Sequence, residues 1–196
     1  MPIAINILAY VALLGVGAAA SVTDVRTKLI PNKLTFPAML AGLAFWAIAG
    51  LVMGKGLLGS PLTEPGTLSG AWIAMFLGLV PFILLVFIGG LGMGDAKLMG
   101  AVGAISCQWQ VVVGTTIYAL VVALVMGLCT MVLAGRVRLT MYRLLGIALS
   151  AGKVIKPDDS ESAPTVPFAV AIAVGAALAG AELMVGLWPK NPWIWP

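Results

Sequence analysis

Long apolar runs separated by short polar segments dominate the chain. About 20 apolar residues at a rise of about 1.5 Å per residue match a hydrocarbon core of about 30 Å, so the runs predict about six membrane-spanning helices. We therefore predict an all-α, polytopic membrane protein in which residues 1–196 form a single integral membrane domain. The predicted spans are residues 3–22, 36–53, 70–91, 96–112, 115–134 and 165–187.

The length of the fourth predicted span depends on where the chain turns. A turn at residues 108–110 leaves about a dozen residues after Asp95, and about 18 Å of helix cannot cross the hydrocarbon core. A turn at residues 114–116 gives a helix of sufficient length, with Asp95 at the interface. The first alternative is slightly favoured, and it predicts a shortened helix with Asp95 at membrane depth beside a hydrated cavity.

The composition excludes a separate soluble domain and a histidine metal site. Of the 196 residues, 61% are hydrophobic, 9% are charged and none is histidine, and the mean hydropathy is +1.10. Without histidine, Cys107 and Cys129 cannot complete a zinc site. Their separation across the predicted membrane argues against a disulfide. Both are therefore predicted to be buried packing residues, and no metal, cofactor or nucleic acid is predicted to bind.

Basic residues concentrate after the first, third and fifth predicted spans. Positive charge accumulates on the cytoplasmic side of membrane proteins, so the N-terminus is predicted outside, with cytoplasmic loops at about residues 23–35, 92–96 and 135–164. A multi-pass protein of the cell inner (cytoplasmic) membrane is expected. The basic residues on this side are Arg26, Lys28, Lys33, Lys97, Arg136, Arg138, Arg143, Lys153 and Lys156, whereas the other side carries only Lys55 and Lys190.

Several polar segments permit a structural interpretation. Residues 136–150 predict an interfacial amphipathic helix, with an ordinary solvated loop as the alternative. Residues 153–162 are interpreted as a solvated charged loop, and residues 188–196 as an aromatic anchor. Glu182 is predicted to snorkel or to form a local bond, and Pro81 to kink the third span.

Two acids at the ends of predicted spans are the candidate chemistry. Asp24 follows the first span, and Asp95 follows Gly92 and Gly94, whose missing Cβ atoms permit close backbone approach. A charge at membrane depth costs at least about 2.5–3.5 kcal/mol. Asp95 alone is equally explained as a helix N-cap. However, the loop charges bring both acids to one membrane level, as a carboxylate pair requires.

The two acidic segments together resemble the type IV prepilin peptidases, which are membrane aspartyl proteases of the GxGD type. The resemblance rests on Asp24 followed by basic residues and Ile30-Pro31-Asn32, and then on Gly92-x-Gly94-Asp95-x-Lys97-Leu98. It implies an aspartic endopeptidase that removes the basic leader from prepilin or pilin-like precursors at the cytoplasmic face.

The resemblance also implies roles for particular residues. Asp24 and Asp95 are the expected catalytic pair, and Gly92 and Gly94 are motif residues. Two close carboxylates retain one proton, so one acts as general base and the other as general acid, although the sequence does not assign which. Lys97 is expected to anchor its helix at the head groups rather than to bind substrate backbone.

The chain resembles a short form of this family. It lacks the zinc-binding N-terminal region associated with N-methylation, so peptidase activity without methyltransferase activity is expected. Its compactness is similar to members that serve tight-adherence (Flp-type) pilus systems, and the archaeal preflagellin peptidases share the same pair of acids. Two other classes stay open, a small ion or proton transporter and a noncatalytic membrane assembly factor. The oligomeric state and the physiological substrate are not predicted.

Overall fold

The computed structural model describes residues 3–58, 66–88, 91–133, 135 and 167–185. In this part of the chain all regular structure is helical, which confirms the predicted all-α class. The described residues form six helices: α1 (Ile3–Thr27), α2 (Asn32–Val52), α3 (Leu68–Phe87), α4 (Met93–Ser106), α5 (Trp109–Leu133) and α6 (Phe168–Val185). Four of them, α1, α2, α3 and α5, are long and apolar enough to cross a membrane.

The helices continue past the predicted boundaries on the side that carries the acids. α1 extends to Thr27 and α2 begins at Asn32, so within the predicted cytoplasmic loop of about residues 23–35 only residues 28–31 are not helical. α4 begins at Met93, so most of the predicted loop of about residues 92–96 is helical as well. Both acids therefore lie in terminal turns of helices, where backbone bonds restrain them, and not in loops.

The fourth helix is short. α4 has 14 residues, and at about 1.5 Å per residue it reaches only about 21 Å, less than the hydrocarbon core of about 30 Å. The chain turns at residues 107–108, so the favoured shortened helix is confirmed and the alternative turn at 114–116, which lies inside α5, is wrong. Among the described residues, four helices meet the length and hydropathy of a membrane span, and α4 and α6 are shorter.

Cys107 ends α4 in a conformation that its residue type did not signal. Its φ of 55° is left-handed, and its N–H donates to the carbonyl of Gly103 at 3.0 Å. The buried thiol donates to the Thr67 carbonyl at 3.2 Å and accepts the Gly66 N–H at 3.3 Å. These bonds attach the turn to the start of α3, which supplies the partners that make the left-handed turn stable.

The short helix α4 forms the core of the bundle and packs against α1, α2, α3 and α6. Small residues permit this close packing: a Cβ on Gly42 of α2 would lie 2.8 Å from the carbonyl of Ala104, and one on Gly103 would overlap the carbonyl of Ala74 in α3. Trp46 fills the remaining space and donates its indole N–H to the Ile105 carbonyl at 2.7 Å. The helix that carries Asp95 is thus held on several sides.

The chain divides into two compact units, residues 1–120 with 167–196 and residues 121–166. Cys107 in the first unit is buried, whereas Cys129 in the second is exposed, so the prediction that both are buried is wrong for Cys129; both thiols are free. Glu182 accepts a hydrogen bond from the hydroxyl of Tyr118, as its predicted local bonding requires. The predictions for residues 136–150, 153–162 and 188–196 lie outside the described residues.

Candidate active site

Asp24 lies in the last turn of α1 and meets the beginning of α6. Its Oδ2 accepts the N–H of Ala169 at 3.1 Å. The Ser21 hydroxyl, one turn earlier on α1, donates to the carbonyl of the same residue at 3.3 Å. Backbone N–H groups at a helix N-terminus carry partial positive charge, so this contact stabilises a negative charge on Asp24.

Asp95 is the third residue of α4 and bonds backward to the helix start. Gly92 is the N-cap residue, with φ −81° and ψ 146° and without a side-chain cap. The Asp95 carboxylate accepts the Gly92 N–H, which is the reciprocal half of a capping box. The helix-cap interpretation is therefore partly correct for Asp95, although the residue is not at the N-cap position.

The two acids act on each other electrostatically. Asp95 lies outside the four candidate spans. Burial, and then the negative charge of Asp24, raise the pKa of Asp95 from 3.8 to about 6, while the Gly92 N–H opposes this rise. A carboxyl with a raised pKa beside a second carboxylate can retain a proton near neutral pH. The ends of α1 and α4 thus bring together the two acids that the sequence singled out.

The motif residues around Asp95 contact the connection between α1 and α2. A Cβ on Gly94 would lie 3.0 Å from the Cβ of Ile30, so the Ile30 side chain packs closely against this glycine. Lys97 donates to the side-chain oxygen of Asn32 at 2.8 Å, and its ammonium lies 5.1 Å from the centre of the Phe36 ring. Lys97 thus contacts α2 rather than serving only as a head-group anchor.

Sequence reasoning missed the contacts of Ile30 and Asn32. Both belong to the Ile30-Pro31-Asn32 segment, which was noted for its resemblance to a family but was given no structural role. The available signal was the short distance of this segment from Asp24 along the chain, together with its proline, which favours a fixed connection. That signal indicates an ordered loop but does not identify what the loop contacts.

A separate cavity of about 70 Å³ lies at the opposite end of α1 and is lined by Asn6, Tyr10, Trp46 and Gln108 among others. The buried Oδ1 of Asn6 has no hydrogen-bond partner there, although most of the lining is apolar. It is separate from the acid pair, and the predicted hydrated cavity beside Asp95 stays a prediction. The described residues contain no group of three or more His, Cys, Asp or Glu side chains able to hold a metal ion.

Burial of Asp95 has a consequence for stability. Because its pKa is about 6 in the fold and ordinarily 3.8, the fold loses stability as pH rises through this interval. An asparagine side chain does not ionise, so we expect Asp95→Asn to melt a few degrees above the wild type at about pH 8, with the difference shrinking towards about pH 4. Thermal unfolding in detergent micelles measures this. An equal difference at both pH values would contradict the prediction.

Comparison with known proteins identifies a family whose match includes both acids. The model of the type IV leader peptidase family matches residues 11–129, which include both acids. The chain is 36% identical over 94 residues to the prepilin leader peptidase/N-methyltransferase of Escherichia coli (strain K12). That alignment covers 46% of this chain and 36% of the E. coli protein. No solved structure matches the chain.

The helices and the acid pair define a class, an all-helical polytopic membrane protein with two interacting carboxyl groups at one end of its bundle. The family match covers more than half of the chain. The protein therefore belongs to the type IV leader peptidase family.

Proposed function

We propose that the protein is an aspartic endopeptidase of the cytoplasmic membrane that removes the leader peptide from type IV prepilin-like precursors. One observation carries the proposal: burial and the negative charge of Asp24 raise the pKa of Asp95 to about 6. Such a pair supplies a base and an acid without metal or cofactor, as hydrolysis of a peptide bond requires. Family membership supports the reaction class.

The environments of the two acids favour different protonation states. The Ala169 N–H at the start of α6 stabilises negative charge on Asp24, whereas burial and the neighbouring Asp24 charge favour a proton on Asp95. We therefore assign Asp24 as the general base and Asp95 as the general acid.

Each acid then transfers one proton in each half of the reaction. Asp24 removes a proton from water, whose oxygen bonds to the scissile carbonyl carbon, while Asp95 donates its proton to the carbonyl oxygen. The product of this step is a neutral gem-diol. When the C–N bond breaks, the proton on Asp24 passes to the leaving nitrogen and a gem-diol hydroxyl returns its proton to Asp95. Both acids regain their starting states, so the cycle repeats.

The proposal also includes a substrate class and the side of the membrane on which the acid pair lies. The name of the E. coli relative indicates a prepilin leader as its substrate, and we extend that substrate class to this chain. The basic residues Arg26, Lys28 and Lys33 around the α1 to α2 connection support a cytoplasmic position for the acid pair. That this chain lacks N-methyltransferase activity stays a prediction.

The purified protein, reconstituted in lipid with a pilin precursor, tests the proposal. We expect one cut that releases the basic leader, identified by mass spectrometry. Because Asp95 must be protonated, kcat/KM should fall as pH rises through about 6, the pKa of Asp95 in the fold. Uncleaved precursors at every pH would contradict the proposal, and ion flux in the same liposomes without any peptide product would favour a transporter.

A further inference from the structure

The α1 to α2 connection and the start of α4 meet at two contacts on the side of the acid pair. The first is polar: Lys97 donates to the Asn32 Oδ1 at 2.8 Å, with its ammonium 5.1 Å from the centre of the Phe36 ring. The second is apolar: Ile30 packs on Gly94 so closely that a Cβ there would lie 3.0 Å from the Cβ of Ile30. Together they join Asn32 at the first turn of α2 to the turn of α4 that holds Asp95.

We propose that these two contacts form a latch that positions Asp24 against Asp95, with Asn32 and Ile30 as positioning residues for the reaction. The latch is defined as the Asn32–Lys97 hydrogen bond together with the Ile30–Gly94 contact. It deepens the proposed peptidase function and rests on it. Neither Asn32 nor Ile30 touches the reacting atoms; each acts through the acids.

The backbone between Asp24 and Asn32 is held by local hydrogen bonds. The Lys28 N–H donates to the Asp24 carbonyl at 2.8 Å, and Lys28 turns the chain with a left-handed φ of 54°. The Thr27 hydroxyl shares its hydrogen between the Thr23 carbonyl at 2.7 Å and the Leu29 carbonyl at 3.1 Å, and the second contact restrains the connection. The proline at position 31 then fixes the chain before Asn32. A displacement of Asn32 is therefore transmitted to Asp24.

The link on the other side is equally short. Lys97 lies two residues after Asp95 on the same helix, and the neighbouring Leu98 and Met99 are fully buried. The buried side chains keep α4 from rotating freely. If Lys97 releases Asn32, the start of α2 loses its polar attachment to α4, and the spacing of the acids widens. Asp24 is the charged group on a neighbouring helix that acts on Asp95, so the protonation of Asp95 reports this spacing.

Precise position matters more here than binding energy. An exposed hydrogen bond to an ammonium adds little to stability, but a misplacement of about 1 Å at catalytic groups can cost about 10²-fold in rate. Loss of the latch should therefore lower turnover without unfolding the protein. A purely structural role would instead lower thermal stability and activity together, with an unchanged pH profile.

The variants Asn32→Leu and Lys97→Met test the latch in the reconstituted cleavage reaction. We expect each to lower kcat by about 10-fold or more while KM stays within about twofold. In Asn32→Leu, which leaves every charge in place, the fall of activity with rising pH should also move to lower pH, because Asp24 acts less strongly on Asp95. Asn32→Asp keeps an acceptor for Lys97 and should retain wild-type kcat. Lys33→Met removes one positive charge beside Asn32 and is the matched control, which should behave as wild type.

Spin-label distances separate the latch from the peptidase proposal. Labels at Val25 and Met93, which are 60% and 43% exposed, report the spacing of the two helix ends in a Cys129→Ser background. We expect a broader distance distribution in Lys97→Met than in Lys33→Met. If the wild type does not cleave precursors, the peptidase proposal fails but the distances still decide the latch. The latch proposal would be overturned if both latch variants showed the kcat, the pH profile and the spin-label distances of the wild type.

Discussion

We expect Asp24→Asn and Asp95→Asn each to lower kcat/KM for leader removal by about 10³-fold or more, with the fold intact. General acid–base catalysis contributes about 10²–10⁴-fold for a single group, and each variant removes one of the two proton-transferring groups. The amide introduced by Asp24→Asn keeps an oxygen that can accept the Ala169 N–H, and the amide introduced by Asp95→Asn keeps one that can accept the Gly92 N–H. The structural bonds of both acids are thus preserved while the chemistry is removed.

The same substitutions separate the peptidase from an assembly factor in which the acids merely cap helices. Asparagine is about as good a cap as aspartate, so a capping role predicts little effect. Glu182→Gln is the matched control: it removes a carboxylate from α6 and leaves an oxygen that can accept the Tyr118 hydroxyl. We expect this control to cleave at the wild-type rate. Substantial turnover by a folded Asp24→Asn or Asp95→Asn protein would refute the proposed mechanism.

The apolar pattern predicts the helices well because a run of apolar residues long enough to cross the membrane has few other stable conformations. It predicts their ends poorly. Asp24 and Arg26 look like loop residues by polarity, yet α1 continues to Thr27. The hydroxyls of Thr23 and Thr27 donate to carbonyls one turn earlier, which satisfies groups beyond the apolar run. Helices therefore extend past the hydrophobic boundary that the sequence displays.

The turn after α4 shows a different limit. Left-handed residues are expected to be glycine or asparagine, and Gly114 made the later turn look reasonable. The chain instead turns at Cys107, whose thiol is fixed by Gly66 and Thr67 from a distant part of the sequence. A tertiary contact determines the position of this turn, so local residue preferences do not predict it.

The acid pair itself was predictable, whereas its surroundings were not. The resemblance singled out Asp24 and Asp95, the loop charges placed them on one side of the membrane, and in the structure the charge of Asp24 raises the pKa of Asp95. The two acids differ in their hydrogen-bond partners, and the partner of Asp24 is the Ala169 N–H at the start of α6. No pattern within the segments of the two acids indicates that contact. The positions of Asn32 and Lys97 likewise depend on how α2 packs against α4.

Gly103→Ala should destabilise the protein more than any exposed substitution. A Cβ at this position would overlap the carbonyl carbon and oxygen of Ala74 in α3, and neither is the end of a side chain that can rotate away. α3 and α4 would have to separate, although Leu98, Met99 and Ala101 of α4 are fully buried. Overpacking in a close-packed core costs about 1–3 kcal/mol, and a backbone obstacle favours the upper end or beyond. Thermal unfolding in detergent micelles measures the loss.

Gly15→Ala provides the matched control, because a Cβ on this helical glycine of α1 meets nothing within 4 Å. Alanine improves helix propensity by up to about 1 kcal/mol, so Gly15→Ala should unfold at the wild-type temperature or slightly above it. Gly103→Ala should unfold well below it and should also lose peptidase activity, since α4 carries Asp95. Equal unfolding temperatures for the two variants would mean that α3 and α4 are not in close backbone contact. Gly103→Ala could also lose activity at an unchanged unfolding temperature. That result would show that α4 can move without destabilising the bundle, and it would contradict the close packing described for α4.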